Sequence, residues 1–208
     1  REKRLQRLAV DALRQARYAP RGGMGSRTGV VEAKPLHIRF DAGLMARVAS
    51  LLGLWDTGEP LEYFKLMVVA ADNQFGALPP LFDDNLQPAS QQGLVADPIL
   101  AWALNEAVAM NPNVCTTADI DPLFQGIVRI MAALEDMRSR DTGYYTALGE
   151  EGIWQDSPRF LAAEDGVSIV QDVSRTAWMG RAYADLAALA DAMSLGSDAD
   201  ALRSFSNQ

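Results

Sequence analysis

At 208 residues, 49% hydrophobic and 22% charged, the chain has an ordinary globular composition and is long enough for one sizeable core or two small ones. Its net charge of −8 leaves no basic stripe to neutralise phosphates, which argues against nucleic acid and against anionic membrane surfaces as partners. One cysteine, Cys115, and one histidine, His37, exclude an intrachain disulfide and a multi-histidine metal centre. Neither a metal nor a cofactor is expected. A lone cysteine fits a reducing compartment, so the expected location is the cytoplasm. Arg1-Glu2-Lys3-Arg4 leads into an amphipathic pattern with no apolar leader, and no apolar run approaches the ~20 residues of a membrane span.

Leu5, Leu8, Ala9, Ala12, Leu13 and Ala16 recur at helical spacing, which predicts a first helix over residues 2–18. Residues 20–35 contain Gly22, Gly23, Gly25 and Gly29 between Pro20 and Pro35, the composition of a flexible loop. It is not a phosphate loop, because no strand precedes it and no Lys-Ser/Thr pair follows. Asp41 starts a helix through Leu44, Val48, Leu51 and Leu52 that stops at Gly53. After the turn at residues 55–58, Pro60 sits where a missing N–H does no harm, in the first turn of a helix through Leu61, Phe64, Met67 and Val68 to about Ala71. Residues 72–93 form a long polar loop. Residues 94–110 are helical, with Pro98 near the start. Residues 119–140 are helical, with Asp119 as N-cap and Pro122 in the first turn. A second long loop covers residues 141–167. Residues 168–195 form a long helix through Val173, Ala177, Gly180, Tyr183, Leu186, Leu189 and Met193, stopped by Gly196, and Asp198 opens a short helix to about Ser204.

That gives about seven helices and no convincing strand. Long loops alternate with short ones, at residues 53–58, 111–118 and 196–197. The expected fold is all-α: one domain over residues 1–208, an (α/α) toroid or helical-hairpin array whose long loops gather on one face.

Within the second long loop, residues 150–160 read Glu150-Glu151-Gly152-Ile153-Trp154-Gln155-Asp156-Ser157-Pro158-Arg159-Phe160 and follow the pair Tyr144-Tyr145. Carboxylates beside an aromatic platform and a guanidinium are materials of a sugar site: acids for proton transfer, flat rings for pyranose faces, fixed partners for hydroxyls. Other segments are Phe40-Asp41, Asn73-Gln74-Phe75-Gly76-Ala77-Leu78-Pro79, residues 94–103 around Asp97-Pro98 and Ala101-Trp102, and Val170-Gln171-Asp172-Val173.

In that order these segments resemble the (α/α)6-barrel glycoside hydrolases, and among them the trehalases, mannosyl-oligosaccharide glucosidases and mannosylglycerate or glucosylglycerate hydrolases. The resemblance covers roughly residues 36–203. It implies an incomplete (α/α)6 barrel acting on a small α-linked glucoside or mannoside by an inverting acid/base mechanism, with the two carboxyls about 6.5–9.5 Å apart. The chain departs from the family in three ways. With Ile153 taken as an insertion, Gln155 stands where the general acid belongs, and an amide carries no titratable proton. The segment holding the family's general base falls beyond the chain. The helices are too few to close the barrel.

Asp156 is the best available proton donor, its pKa raised if Trp154 packs over it; the alternative is that it caps the loop or pairs with Arg159. Gln155 holds a sugar hydroxyl or has no ligand. Arg159 binds a substrate carboxylate or forms an ion pair with Glu151 or Asp156. Trp154 stacks on a sugar or joins the core; Tyr145, like Tyr144, lines a cleft or packs the loop. Asp41 accepts a sugar hydroxyl, by resemblance, or is a helix N-cap. Trp55 and Trp102 favour core packing. Glu135-Asp136 and Asp198–Asp200 read as solvated helix faces. Two rival functions stand beside hydrolysis: a non-catalytic carbohydrate-binding relative, and a helical scaffold that binds a protein. The expected partner is a small carbohydrate, with no nucleic acid and no membrane, and a homo-oligomer through helix faces that an incomplete barrel exposes.

Overall fold

A computed structural model of the protein describes residues 17–18, 27–28, 38–39, 59–79, 81–82, 95, 98–112, 115–148 and 169–206. Their architecture is helical. Five helices run α1 (Glu59–Asp72), α2 (Ile99–Met110), α3 (Thr117–Glu135), α4 (Val173–Ala192) and α5 (Gly196–Ser206). Three short antiparallel ladders join strands of two or three residues. β1 (Arg17–Tyr18) pairs with β2 (Arg27–Thr28), β3 (Ile38–Arg39) with β4 (Leu81–Phe82), and β5 (Thr146–Leu148) with β6 (Ile169–Gln171). These ladders depart from the strand-free expectation. Strands this short carry too few residues to show a period of two. The predicted helices at residues 2–16 and 41–53 lie outside the described residues, while Arg17 and Tyr18 pair in a ladder instead of ending a helix.

Helix boundaries follow local chemistry. The cap of α3 is Thr116, not Asp119: the Thr116 side chain accepts from the Asp119 amide, and its Oγ1 donates to Asp119 Oδ2 at 2.6 Å. A helix that starts earlier leaves Pro122 inside it. Both Pro122 and Ala118, whose carbonyl loses its usual partner, are exposed, so that carbonyl is not buried without a partner. The long helix predicted from residue 168 begins at Val173. Asp172 caps it, its carboxylate accepting from the Ser174 and Arg175 amides, and residues 169–171 are drawn into β6. The helix expected from residue 94 begins at Ile99, after Pro98. Gly196 opens α5 and does not close α4.

Alternate helices lie side by side and parallel. Val68 meets Gly126 and Asp72 meets Arg129, so α1 and α3 advance together. Trp102 meets Trp178 at 5.9 Å between ring centroids and Asn105 meets Asp185, so α2 and α4 do too. The core lies between them, built from Phe64, Met67, Leu104, Leu123, Ile127, Leu134, Met179 and Leu186 among others. The connections at 73–98 and 136–172 are long and run from the C-terminal ends of α1 and α3 to the N-terminal ends of α2 and α4. The connections at 111–116 and 193–195 are short. Among the described residues no helix is long and apolar enough to cross a membrane.

The α1–α3 contact is tight at one point. A Cβ on Gly126 would stand 2.3 Å from Val68 Cγ1, and a valine in a helix has little freedom to turn away. Gly→Ala in a helix without a clash stabilises by up to about 1 kcal/mol. Gly126→Ala is expected to destabilise by about 1–3 kcal/mol in urea unfolding, and Val68→Ala in the same chain to recover part of that loss. A stabilising Gly126→Ala would refute the close approach.

Candidate functional site

The long connections return to one place because of Arg175. Its guanidinium is 0% exposed. Nη2 donates to the Val95 carbonyl at 2.8 Å, just before α2, and Nη1 to the Thr146 carbonyl at 3.1 Å in β5, with Met137 Sδ 3.8 Å away. One side chain thus holds the return of the first long connection, the outgoing arm of the second and the residues after α3. The second connection is held further at its base. The Asp172 amide donates to the Tyr145 carbonyl at 2.8 Å, and β5 pairs with β6 in register Thr146–Gln171. Leu148 and Ile169, which flank the interval carrying the 150–160 motif, are thereby cross-strand partners.

Beside this clamp lies a carboxylate hub. The hydroxyls of Tyr145 and Tyr183 both donate to Glu135 Oε1. Arg138 lies 5.8 Å from the centre of the Tyr145 ring, and Phe205 of α5 stacks on Tyr183 at 5.3 Å. Burial first, then the hydrogen bonds to Glu135, push both phenols well above their ordinary value. They stay protonated at neutral pH as donors, so the hub fixes α3, the residue just before β5 and α4 against each other. Glu135 is accordingly not the solvated acid expected from its sequence context; Asp136 is exposed, as expected.

Along α2 and α4 runs a second polar cluster. Asp185, 3% exposed, accepts from Asn105 at 2.9 Å and from Arg181 at 2.7 and 3.1 Å, and Arg181 reaches Glu106 at 4.0 Å. Trp102 and Trp178 sit toward the same end as the clamp. Both are partly buried, and both pack on the core.

The third feature is the turn that ends α1. Gly76 N–H donates to the Ala71 carbonyl at 2.9 Å and Phe75 N–H to the Asp72 carbonyl at 3.3 Å, the paired bonds of a Schellman motif. The motif needs a left-handed residue, normally glycine, and Phe75 fills it with φ 57°. For a residue with a Cβ this conformation costs roughly 1–2 kcal/mol. Gly76 follows at φ 92°, held beneath α3: a Cβ there would lie 2.9 Å from the Arg129 carbonyl oxygen. The Phe75 side chain is 99% exposed. It borders a groove of about 450 Å³ between the ends of α1 and α3, whose wall is the bidentate Arg129–Asp72 pair at 2.9 and 3.0 Å and whose floor includes Ala132 and Ala133.

Of the residues singled out in the sequence, Asp41, Glu151, Trp154, Gln155, Asp156 and Arg159 lie outside the described residues. Tyr145 lies within them, 4% exposed, with its hydroxyl turned inward onto Glu135. Arg175, Glu135 and Tyr183 carried no signal of their own, since an arginine among helical residues looks like a surface cation until its neighbours in space are known. Phe75 was not singled out either, being placed in the polar loop over residues 72–93; a bulky residue just before Gly76 at the end of a helical pattern is the signal that points to it. Among the described residues no group of three His, Cys, Asp or Glu side chains is arranged to hold a metal ion. No family model matches the chain, and no curated protein matches it significantly.

Two outcomes follow. Arg175→Met leaves the Val95 and Thr146 carbonyls without this donor, and is expected to cost at least about 2 kcal/mol in urea unfolding and to speed amide exchange in Thr146–Leu148. Unchanged exchange there would remove the clamp. Stability is also expected to fall in alkali. Burial pushes the half-buried Cys115 thiol from an ordinary value near 9 up to about 11, so the unfolded chain loses this proton first, and stability that is complete below pH 9 declines as pH rises toward 11. The raised phenols extend the decline above pH 10 by the same sign. Urea midpoints across pH 8–12 measure it, and Cys115→Ala should flatten the lower part of the curve.

Proposed function

We propose that the chain is a carbohydrate-recognising helical-hairpin domain of the (α/α)-toroid type, with its sugar site at the end where both long connections return. The observation that carries this reading is the Arg175 clamp. It gathers Val95, Thr146 and the residues after α3 at a single point, and so sets the base of the interval containing Trp154, Gln155, Asp156 and Arg159 beside the start of α2. Parallel packing of α1 on α3 and of α2 on α4 supports the toroid reading, because a double-layered ring of helical hairpins places alternate helices in the same layer.

In this reading Trp154 offers a platform to the apolar face of a pyranose, Arg159 and Glu151 bind its polar edge, Gln155 and Asp41 take hydroxyls, and Asp156 delivers the proton to the leaving oxygen in an inverting hydrolysis of a small α-glucoside or α-mannoside. A non-catalytic sugar binder is the second reading. It is favoured by Gln155, which stands where the resemblance places the acid and has no proton to give at neutral pH.

A panel of α-glucosides and α-mannosides tests both readings. The expected result is a rise in melting temperature with at least one member. If sugar is also released, Asp156→Asn should lower the rate by roughly 10²-fold or more, whereas binding without release selects the second reading. A panel with neither a thermal shift nor product sinks the carbohydrate reading.

A further inference from the structure

We propose that the groove at the C-terminal ends of α1 and α3 is a separate subsite for a neutral pyranoside, with Phe75 as its stacking platform. The proposal rests on the carbohydrate reading above but concerns residues outside the 150–160 motif. Phe75 occupies the left-handed position of a helix-ending motif in which glycine is the ordinary residue. Its side chain is almost wholly exposed, so it contributes no packing in return for the unfavourable backbone. The conformation is set by the turn's own hydrogen bonds, and the next residue, Gly76, is packed closely against the Arg129 carbonyl. A residue that lowers stability, buries nothing and is held rigidly at the mouth of a groove is a candidate binding residue.

The groove specifies the ligand class. Its volume of about 450 Å³ suits a ligand of one or two sugar rings. An aromatic ring on one side and the methyls of Ala132 and Ala133 on another fit the apolar C–H face of a pyranose. The Asp72 carboxylate, the Arg129 guanidinium and the exposed Asp136 carboxylate supply acceptors and donors along the rim. Arg129 is neutralised by Asp72 and Asp136 leaves the rim with one net negative charge, so an anion is disfavoured, and an uncharged sugar whose hydroxyls donate to the two carboxylates fits the groove.

The test uses the full chain with methyl α-D-mannopyranoside and maltose as probes, following Ala methyl resonances by NMR and the melting temperature. In the wild type the sugars should shift the Ala132 and Ala133 methyl signals. Phe75→Gly should melt higher than the wild type yet bind about tenfold or more weakly at the groove, while Phe75→Trp should keep the affinity. Groove affinity unchanged in Phe75→Gly would overturn the proposal. Sugar-induced shifts confined to signals away from Ala132 and Ala133 would overturn the subsite and leave the carbohydrate reading standing. Absence of any shift at tens of millimolar sugar would overturn both.

Discussion

A guanidinium with no solvent exposure must find its hydrogen bonds inside the protein, and the rest of this arrangement depends on how Arg175 does so. An unpaired buried charge would cost several kcal/mol. Among the described residues, Arg175 donates to the backbone carbonyls of Val95 and Thr146 and lies against the Met137 thioether. Carbonyls at chain reversals have lost their ladder or helix partners, and a planar cation with five N–H groups can serve several at once. The same bonds therefore tie the stretch before α2 and the outgoing part of the connection after α3 to the first turn of α4. Asp172 completes the local solution by capping that turn and donating its own amide to Tyr145.

The Glu135 hub extends the principle one layer inward. Two phenols converge on one carboxylate oxygen, one from α4 and one from the residue just before β5. Apolar packing between α3 and α4 alone would tolerate sliding by a methyl group or two, since dispersion contacts are weakly directional. Hydrogen bonds to a shared acceptor do not tolerate it, because a displaced hydroxyl would be left buried and unpaired. Asp185, Asn105 and Arg181 play the same part between α2 and α4. The hydrophobic core supplies the main driving force, and the polar clusters select one register for the helices.

Two helix ends show how differently similar backbone geometry is used. After α4 the Leu195 amide reaches the Ala190 carbonyl at 2.8 Å and the Ser194 amide the Asp191 carbonyl at 2.9 Å, with Ser194 left-handed at φ 64°. Leu195 then turns back onto the core, as such caps commonly do. After α1 the left-handed residue is a phenylalanine and the next is Gly76, so no side chain anchors the cap and the aromatic ring points to solvent. The first end is organised around packing. The second holds an aromatic group on a rigid support at the same end of the helices as the Arg175 clamp.

What the sequence by itself determined is the helical class, the approximate extent of α1, α2, α3, α4 and α5, and the alternation of long and short connections, because hydrophobic period, Pro and Gly act locally and leave their mark in adjacent residues. It placed caps less well: Thr116 and Asp119 are both good capping residues, and only the hydrogen bond to the Asp119 amide distinguishes them. The short ladders were not legible, because pairing Thr146–Leu148 with Ile169–Gln171 joins segments more than twenty residues apart. Nor was any part of the clamp or the hub, since nothing near Arg175 or Glu135 in the chain names Val95, Thr146, Tyr145 or Tyr183 as their partners. Those roles were decided by tertiary structure alone, because the need to satisfy a buried charge is met by whichever backbone groups the fold brings within 3 Å or so of it.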